Sequence, residues 1–184
     1  MTELEKLLNH VFYNSDTDEL RACCDQVKEL LYEYNHLPPS RRAEGEQILR
    51  RVFGSAGKGL WIEAPFQCDI GKTTHVGDNF YVNHNCVFLD AGGLTVGNNV
   101  RIGPNTGIYT PQHAYDPDLR AAGYEISWPV VIEDNVWIGG SVSILGGVTI
   151  GKNSIIGAGS VVTKDIPDDC LAAGCPAEVK KKLL

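Results

Sequence analysis

The sequence predicts a mainly β protein, a parallel β-helix, with an α-helical region at its N-terminus. The first observation is a strict period of six, because six consecutive repeats begin with Ile or Val at Ile132, Ile138, Ile144, Ile150, Ile156 and Val162. The second is a less regular series before it, at Ile62, Ile70, Val76, Val82, Phe88, Val96, Ile102 and Ile108. Repeats this short bury their apolar side only by stacking on their neighbours.

The other positions of the repeat fit short strands joined by tight corners. Glycine follows the aliphatic residue in many repeats, and asparagine occupies the fourth position in six of them, at Asn79, Asn85, Asn99, Asn105, Asn135 and Asn153. Gly and Asn tolerate the positive φ of tight corners, while β-branched residues favour extended backbone. We therefore expect each aliphatic residue to point inward. An irregular β-sandwich is the alternative, but its strands alternate with period two.

The regions outside the repeats have a different pattern. Residues 1–59 predict three helices: a short one that carries Leu4, Leu7, Leu8 and Val11, a second from Leu20 to Tyr34, which Pro38-Pro39 ends, and a third capped by Ser40 and ended by Gly54. Residues 60–167 form the repeat region. Residues 168–184, which finish in a lysine-rich stretch, predict a short basic helix or tail.

One polar insertion, residues 109–129, interrupts the repeats. Long excursions from a regular solenoid usually carry function, and this one contains His113. An imidazole can accept a proton from a hydroxyl. An exposed histidine without a role is the alternative interpretation.

Three further polar residues are spaced for a common neighbourhood. Asp69, Asn83 and Asp90 lie 14 and 7 residues apart, close to one coil if a coil holds three hexapeptides. Carboxylates and amides are suited to binding sugar hydroxyls, although outward, solvated turn residues would show the same spacing. Lys164 and the lysines at 180–182 are candidates for phosphate contacts or for a solvated tail.

Composition narrows the function classes. The chain has 184 residues, of which 43% are hydrophobic and 21% charged, which is typical of a globular protein, and its net charge of −7 does not favour a nucleic-acid or anionic-membrane partner. No signal-peptide or membrane-spanning pattern is evident. The six cysteines lack zinc spacing, so we expect reduced cysteines and a cytoplasmic protein.

Several segments together resemble one family. They are the hexapeptide run, the Tyr32–Asn35 segment, Trp137-Ile-Gly, the run from Gly157 to Pro167 and the segment Ala173–Ala177. In these the chain resembles the maltose/galactoside O-acetyltransferases, which belong to the left-handed β-helix, hexapeptide-repeat acyltransferases. The resemblance implies acetyl-CoA as co-substrate, no metal, and a homotrimer with active sites between subunits, to which residues 1–59 contribute part of the acceptor site.

The resemblance also implies roles for individual residues. His113 would be the general base, and Asn83 would orient the reacting groups. Acceptor contacts would come from Asn14 and Ser15 of the Tyr13–Ser15 stretch and from Asp69, Tyr81, Asp90 and Glu125. Glu125 would hold either the acceptor or the base. Coenzyme contacts would be Asn83, Trp137, Gly140, Ala158, Thr163, Lys164 and Lys181.

The chain departs from the family pattern at two positions. Glu178 stands where the family usually has a coenzyme-binding arginine, and Ala91 replaces a second acidic residue of the galactoside enzymes. Two other functions stay open. A γ-class carbonic anhydrase also uses this solenoid but needs three histidines on one metal, and after His113 the chain offers Asp116 and Asp118 but no histidine. A non-catalytic solenoid subunit is the other.

Overall fold

The N-terminal third forms helices that pack on a coil. A computed structural model describes residues 1–183. The elements are α1 (Glu3–Leu8), β1 (Tyr13–Asn14), α2 (Asp18–Asn35), a 3₁₀ turn (Pro39–Arg41) and α3 (Arg42–Val52). Ser40 lies inside the 3₁₀ turn, so its predicted role as the cap of the third helix is wrong. Val27 and Leu31 of α2 share one apolar core with the coil. Helices α2 and α3 therefore close the end of the coil and share its core.

The coil confirms the predicted parallel β-helix. Face 1 consists of β2 (Ser55–Ala56), β5 (Thr74–Val76), β8 (Leu94–Val96), β13 (Val130–Ile132) and β16 (Thr149–Ile150). Face 2 consists of β3 (Trp61–Ile62), β6 (Tyr81–Val82), β9 (Arg101–Ile102), β14 (Trp137–Ile138), β17 (Ile155–Ile156), β19 (Cys170–Ala173) and β20 (Glu178–Lys182). Face 3 consists of β4 (Phe66–Cys68), β7 (Cys86–Leu89), β10 (Gly107–Tyr109), β15 (Ser143–Leu145) and β18 (Val161–Val162).

The predicted inward residues stack in columns, with one exception. On face 2 the column runs through Ile62, Val82, Ile102, Ile138 and Ile156. On face 3 Phe88 pairs with Cys68, so Cys68 occupies the column and the predicted place of Ile70 there is wrong. Two extra residues at this corner place Ile70 outside the coil, where it packs in a second apolar cluster with Leu7 and Leu20.

Three edges join the faces, and each is named by the faces it connects. At edge 1–2 the residues Asn79, Asn99, Asn135, Asn153 and Asp169 all have positive φ, between 56° and 61°. Each of the four asparagines donates its side-chain amide to the next residue in this series, at 2.8 to 3.0 Å. Asn85 and Asn105 of edge 2–3 also have positive φ. These findings confirm the predicted corner role of asparagine.

The insertion leaves edge 3–1 after β10 and has regular structure of its own. It contains β11 (Pro111–His113), a short helix α4 (Pro117–Ala121) and β12 (Tyr124–Ser127). β12 pairs antiparallel with β11 on one side and with β1 on the other, which gives a three-stranded sheet in the order β1-β12-β11. The N-terminal region therefore holds the insertion through strand pairing.

The C-terminus is a strand, and the predicted basic helix or tail is wrong. β20 pairs antiparallel with β19, and Lys181 lies opposite Leu171. β19 is the last parallel strand of face 2 and would otherwise present unpaired backbone groups. Pairing satisfies those groups, which a helix could not do. Among the described residues no helix is long and apolar enough to cross a membrane.

Candidate active site

The predicted site residues fall on two edges of the coil. Edge 3–1 carries Asp69, Asp90, Thr163, Lys164 and the insertion with His113 and Glu125. Edge 2–3 carries Asn83, Gly140 and Ala158, and Tyr81 and Trp137 lie just before this edge on face 2. The two edges lie at opposite ends of the face 3 strands. Crossing a face takes about six extended residues, or roughly 20 Å. One copy of the chain therefore keeps the two groups apart.

His113 faces a carboxylate across the insertion sheet. Its Nδ1 lies 3.3 Å from Glu125 Oε1, and the two residues are register partners between β11 and β12. The His113 side chain is 66% exposed, whereas that of Glu125 is only 14% exposed. A carboxylate on one ring nitrogen fixes the tautomer and leaves the other nitrogen free for chemistry.

The N-terminal strand supplies hydroxyls to the same carboxylate. The Tyr13 hydroxyl donates to Glu125 Oε2 at 3.0 Å, and Ser15 Oγ lies 3.0 Å from Oε1. Buried Ser127 lies 2.7 Å from the Tyr13 hydroxyl. Asn14 uses its side-chain oxygen to accept the backbone N–H of Asp16. Ser15, predicted as an acceptor contact, thus contacts the carboxylate that faces His113.

Asp90 is committed to the fold of edge 3–1. It is fully buried, and its carboxylate accepts hydrogen bonds from the backbone N–H groups of residues 69–71 and from the hydroxyl of Thr74. Asp69 stands beside it. Burial, together with the charges of Asp90 and Glu125, raises the pKa of Asp69 to about 6. Asp69 therefore lies within electrostatic reach of the His113 site, while the assignment of Asp90 to the acceptor stays a prediction.

Edge 2–3 presents an amide beside a cavity. Asn83 uses its side-chain oxygen to accept the backbone N–H of His84, and its amide N–H groups have no partner within residues 1–183. Glu63 and Ala64 lie on the coil next to Asn83, about 4.8 Å away along the edge. They and His84 form one wall of a cavity of about 420 Å³. Its other lining residues are mainly apolar and come from α2, α3, β3 and the segments beside them, among them Tyr34, Leu37 and Trp61.

The predicted coenzyme residues lie along the other coils. A Cβ at Gly139 would come within 2.6 Å of the Ala158 backbone nitrogen, so the coils of edge 2–3 approach too closely for a side chain there. The result is an open strip of backbone at Gly140 and Ala158, next to the half-exposed ring of Trp137. Thr163 and Lys164 are exposed on edge 3–1, and Lys181 is exposed on β20. The small residues suit a ligand that lies flat along the coil.

The described residues of one copy of the chain bring no set of metal ligands together. No group of three or more His, Cys, Asp or Glu side chains in the described part of the chain could hold a metal ion. All six cysteines are free thiols, and burial raises the pKa of Cys68, whose side chain belongs to the coil core. The described chain therefore offers nothing that favours the carbonic anhydrase alternative.

Two family models match this chain, one in its N-terminal region and one in the repeat region. Residues 129–164 match the bacterial transferase hexapeptide (six repeats) family, and residues 6–57 match the maltose acetyltransferase hexapeptide capping motif. Galactoside O-acetyltransferase of Escherichia coli (strain K12) is 43% identical over 156 residues, which is 85% of this chain and 77% of the relative. The chain belongs to the maltose/galactoside O-acetyltransferase family.

Solved structures of this acetyltransferase family have the same fold. The crystal structure of a maltose O-acetyltransferase from Clostridium difficile 630 superposes with a TM-score of 0.98 at 45% identity, and covers 100% of this chain and 98% of its own. A hexapeptide-repeat acetyltransferase of Vibrio cholerae, complexed with acetyl coenzyme A, gives 0.90 at 40% identity, with 100% of both chains covered. Family membership makes this protein an acetyltransferase of the galactoside/maltose type.

The sequence did not predict two hydrogen bonds of the Tyr13 hydroxyl, one to Glu125 and one to Ser127. Ser127 was absent from the predicted set, and Tyr13 was expected only as part of an acceptor-binding stretch. Tyr13 reaches both Glu125 and Ser127 through the pairing of β1 with β12, across more than 100 residues of chain. Hydrophobic periodicity does not record such contacts. The one available signal was the placement of Glu125 and Ser127 with alternate spacing in the same insertion as His113.

Proposed function

We propose that the protein transfers the acetyl group of acetyl-CoA to a hydroxyl of a sugar, with His113 as the general base. The observation that carries this proposal is the contact of Glu125 Oε1 with His113 Nδ1 at 3.3 Å on an otherwise exposed ring. A neutral imidazole held through Nδ1 keeps Nε2 as an acceptor for the proton of a hydroxyl. Asp and Glu residues around it suit the recognition of a polyol.

The reaction needs one proton transfer in each direction. Nε2 of His113 takes the hydroxyl proton as the sugar oxygen forms its bond to the acetyl carbon. The carbon–sulfur bond then breaks, and the coenzyme thiolate takes the proton back from His113. A positioned base contributes about 10²–10⁴-fold to the rate. The amide N–H groups of Asn83, which have no partner among the described residues, are suited to stabilising the oxyanion between these two steps.

The site requires at least two copies of the chain, because Asn83 and His113 lie on different edges. Face 3, which joins the two edges, carries outward residues suited to burial, namely Gln67, Val87, Leu89, Gly107, Tyr109, Ser143, Leu145 and Val161. We place face 3 toward a threefold axis. Edge 2–3 of each copy then meets edge 3–1 of its neighbour, so a homotrimer closes with three equivalent sites.

The same arrangement provides a groove for the coenzyme between two neighbouring copies. Trp137, Gly140 and Ala158 of one copy would line one side of the groove, and Thr163 and Lys164 of the neighbour would line the other. Lys164 and Lys181 supply positive charge for the phosphates. The Vibrio cholerae structure with acetyl coenzyme A supports this cofactor. Acetyl-CoA and six unpaired thiols fit a cytoplasmic location.

The acceptor would enter beside Asn83. The cavity of about 420 Å³ begins one coil away from this residue and has room for the part of the acceptor that does not react. Its charged rim, Arg42, Glu46 and Glu63, surrounds an apolar floor. This combination fits one face of a sugar and its polar hydroxyls, as in the maltose and galactoside acceptors that name the related enzymes.

The test is a thiol-release assay with acetyl-CoA and a panel of sugars, comparing wild-type protein with His113→Ala. We expect wild-type turnover with at least one sugar and a loss of at least 100-fold in kcat for the variant, with the Michaelis constant for acetyl-CoA nearly unchanged. His75→Ala is the matched control, because His75 lies on face 1 and pairs with Ser55. A His113→Ala enzyme of near-normal rate would remove this residue from the mechanism.

A further inference from the structure

Glu125 is held by more partners than acceptor binding requires. Its Oε2 accepts the Tyr13 hydroxyl at 3.0 Å, and its Oε1 lies 3.0 Å from Ser15 Oγ and 3.3 Å from His113 Nδ1. The side chain is only 14% exposed. Its oxygens therefore have few lone pairs left for a substrate. The carboxylate faces His113 of the same chain, and the hydroxyls of Tyr13 and Ser15 hold it in this position.

Tyr13 is itself oriented by a buried neighbour. It is 1% exposed, and burial raises the pKa of its hydroxyl, which stays protonated. A neutral hydroxyl has a single proton to donate. Ser127 Oγ lies 2.7 Å away, and the carboxylate can only accept. The arrangement that satisfies all three groups has Ser127 donating to Tyr13, and Tyr13 donating to Glu125.

Backbone pairing brings the three functional side chains into one row. Tyr13 of β1 lies opposite Glu125 of β12, and Glu125 lies opposite His113 of β11. Ser15 N–H donates to the Gly123 carbonyl at 2.9 Å and extends the pairing past the end of β1. Because directly opposite residues in an antiparallel sheet are close neighbours, a change at Tyr13 is transmitted to His113 over two strand spacings.

We propose that Tyr13, with Ser127 and Ser15, is a positioning residue that holds Glu125 so that Glu125 keeps His113 in its Nδ1–H tautomer. The N-terminal strand thereby becomes part of the catalytic apparatus without touching the substrate. This inference rests on the proposed role of His113 as base. Asp69 of edge 3–1 is a further charged group near this row, and it interacts electrostatically with Glu125 and Tyr13.

A double-mutant cycle tests the link through Glu125. Tyr13→Phe keeps the ring and removes the donor, and we expect kcat to fall about tenfold with the Michaelis constant for acetyl-CoA within about twofold of wild type. In a Glu125→Ala background the same substitution should change kcat less than about twofold, because the group it acts through is gone. Equal losses in both backgrounds would overturn the proposal. Ser127→Ala gives a second route to the same result if Tyr13→Phe folds poorly.

The matched control is Tyr124→Phe. Tyr124 lies next to Glu125 on β12, and its hydroxyl makes no hydrogen bond to Glu125 within residues 1–183. This variant removes a tyrosine hydroxyl from the same sheet, and its kcat should equal that of wild type. Thermal unfolding of each variant separates a loss of positioning from a loss of fold.

A second readout is independent of any acceptor. Nitrogen-15 NMR of the histidine side chains reports which ring nitrogen of His113 carries the proton at a pH where the ring is neutral. We expect the Nδ1–H form in wild type and mainly the Nε2–H form in Tyr13→Phe and Glu125→Ala. A tautomer that is the same in all three proteins overturns the inference. If the tautomer changes as expected but no sugar is acetylated, the positioning role stands and the proposed function fails.

Discussion

Asp69 and Asp90 are adjacent acids of edge 3–1 in very different surroundings. Asp90 is surrounded by donors, which stabilise its charge inside the protein. Asp69 is mostly buried, and its pKa is raised to about 6 by desolvation first and by the charge of Asp90 second. The ionised form of Asp69 is therefore unfavourable in the folded protein, the reverse of the usual carboxylate.

We predict that Asp69→Asn stabilises the protein at neutral pH. The unfolded-state pKa of an aspartate is about 3.9, so between about pH 4 and 6 the folded protein binds more protons at this site, and stability falls as pH rises through that window. The substitution should raise the free energy of unfolding by about 1–3 kcal/mol at pH 7 and by almost nothing at pH 4. Urea unfolding at fixed protein concentration across pH 4–8 measures this.

The control for Asp69→Asn is Asp25→Asn, which removes one negative charge from an exposed position of α2. It should change stability by a similar small amount at every pH in the range. A gain for Asp69→Asn that does not depend on pH would show that the charge of Asp69 is not the cause.

Some of this residue-scale chemistry was accessible from the sequence. His113 could be singled out because it is the one histidine of the insertion, and Asp69 because of its spacing from Asn83. The support for His113 could not be predicted. Tyr13 and Glu125 are 112 residues apart, and only the pairing of β1 with β12 brings them together.

At the scale of elements, edge 1–2 is held by a ladder of amides. Each asparagine combines two functions, because it adopts a left-handed backbone conformation and donates its amide to the next coil. The ladder ends on the carboxylate of Asp169, which accepts the last amide at 2.8 Å. A glycine would provide the conformation alone, and this explains why asparagine recurs at the fourth position of the repeats at edge 1–2.

We predict that Asn135→Ala is more destabilising than Asn135→Gly. Alanine loses both amide hydrogen bonds and adds the strain of φ at 61°, for about 2–3 kcal/mol in total, whereas glycine loses the hydrogen bonds and costs about 1–2 kcal/mol. Asn85→Ala is the control, since Asn85 has φ at 59° and no side-chain hydrogen bond among the described residues. It should cost about 1 kcal/mol. Equal free energies of unfolding for the three variants, measured by chemical denaturation, would show that the amide hydrogen bonds do not stabilise the protein.

The sequence predicted these elements better than their ends. The period of six placed nearly every inward residue because a repeat must stack its aliphatic position. It misplaced one residue, Ile70, because Cys68 and Ile70 are both apolar and two residues apart. The two extra residues of this corner can be placed so that either of them faces inward. The C-terminal strand was not predicted because it forms by pairing with the edge of β19, which the local sequence pattern does not show.

At the scale of the whole molecule, each face has its own outward surface. Face 1 presents mainly polar residues such as Ser55, Thr95 and Thr149, and face 2 presents aromatic and charged ones such as Trp61, Arg101 and Trp137. Face 3 presents valine, leucine and small residues between the two functional edges. A threefold arrangement about face 3 would bury this surface and join the edges, which accounts for both features with one symmetry operation.

We predict that two inactive variants restore each other when they assemble together. In hybrid trimers of His113→Ala and Asn83→Ala, some sites take Asn83 from the first variant and His113 from the second, and are therefore intact. Every hybrid trimer contains both variants, so about a third of its sites, one in each trimer, is intact. Co-expressed hybrids, purified through two different affinity tags, should thus recover about a third of wild-type turnover, while separately assembled trimers that are mixed afterwards should stay inactive. Hybrids that remain at background would place both residues in a site built by a single copy, and the arrangement about face 3 would be wrong.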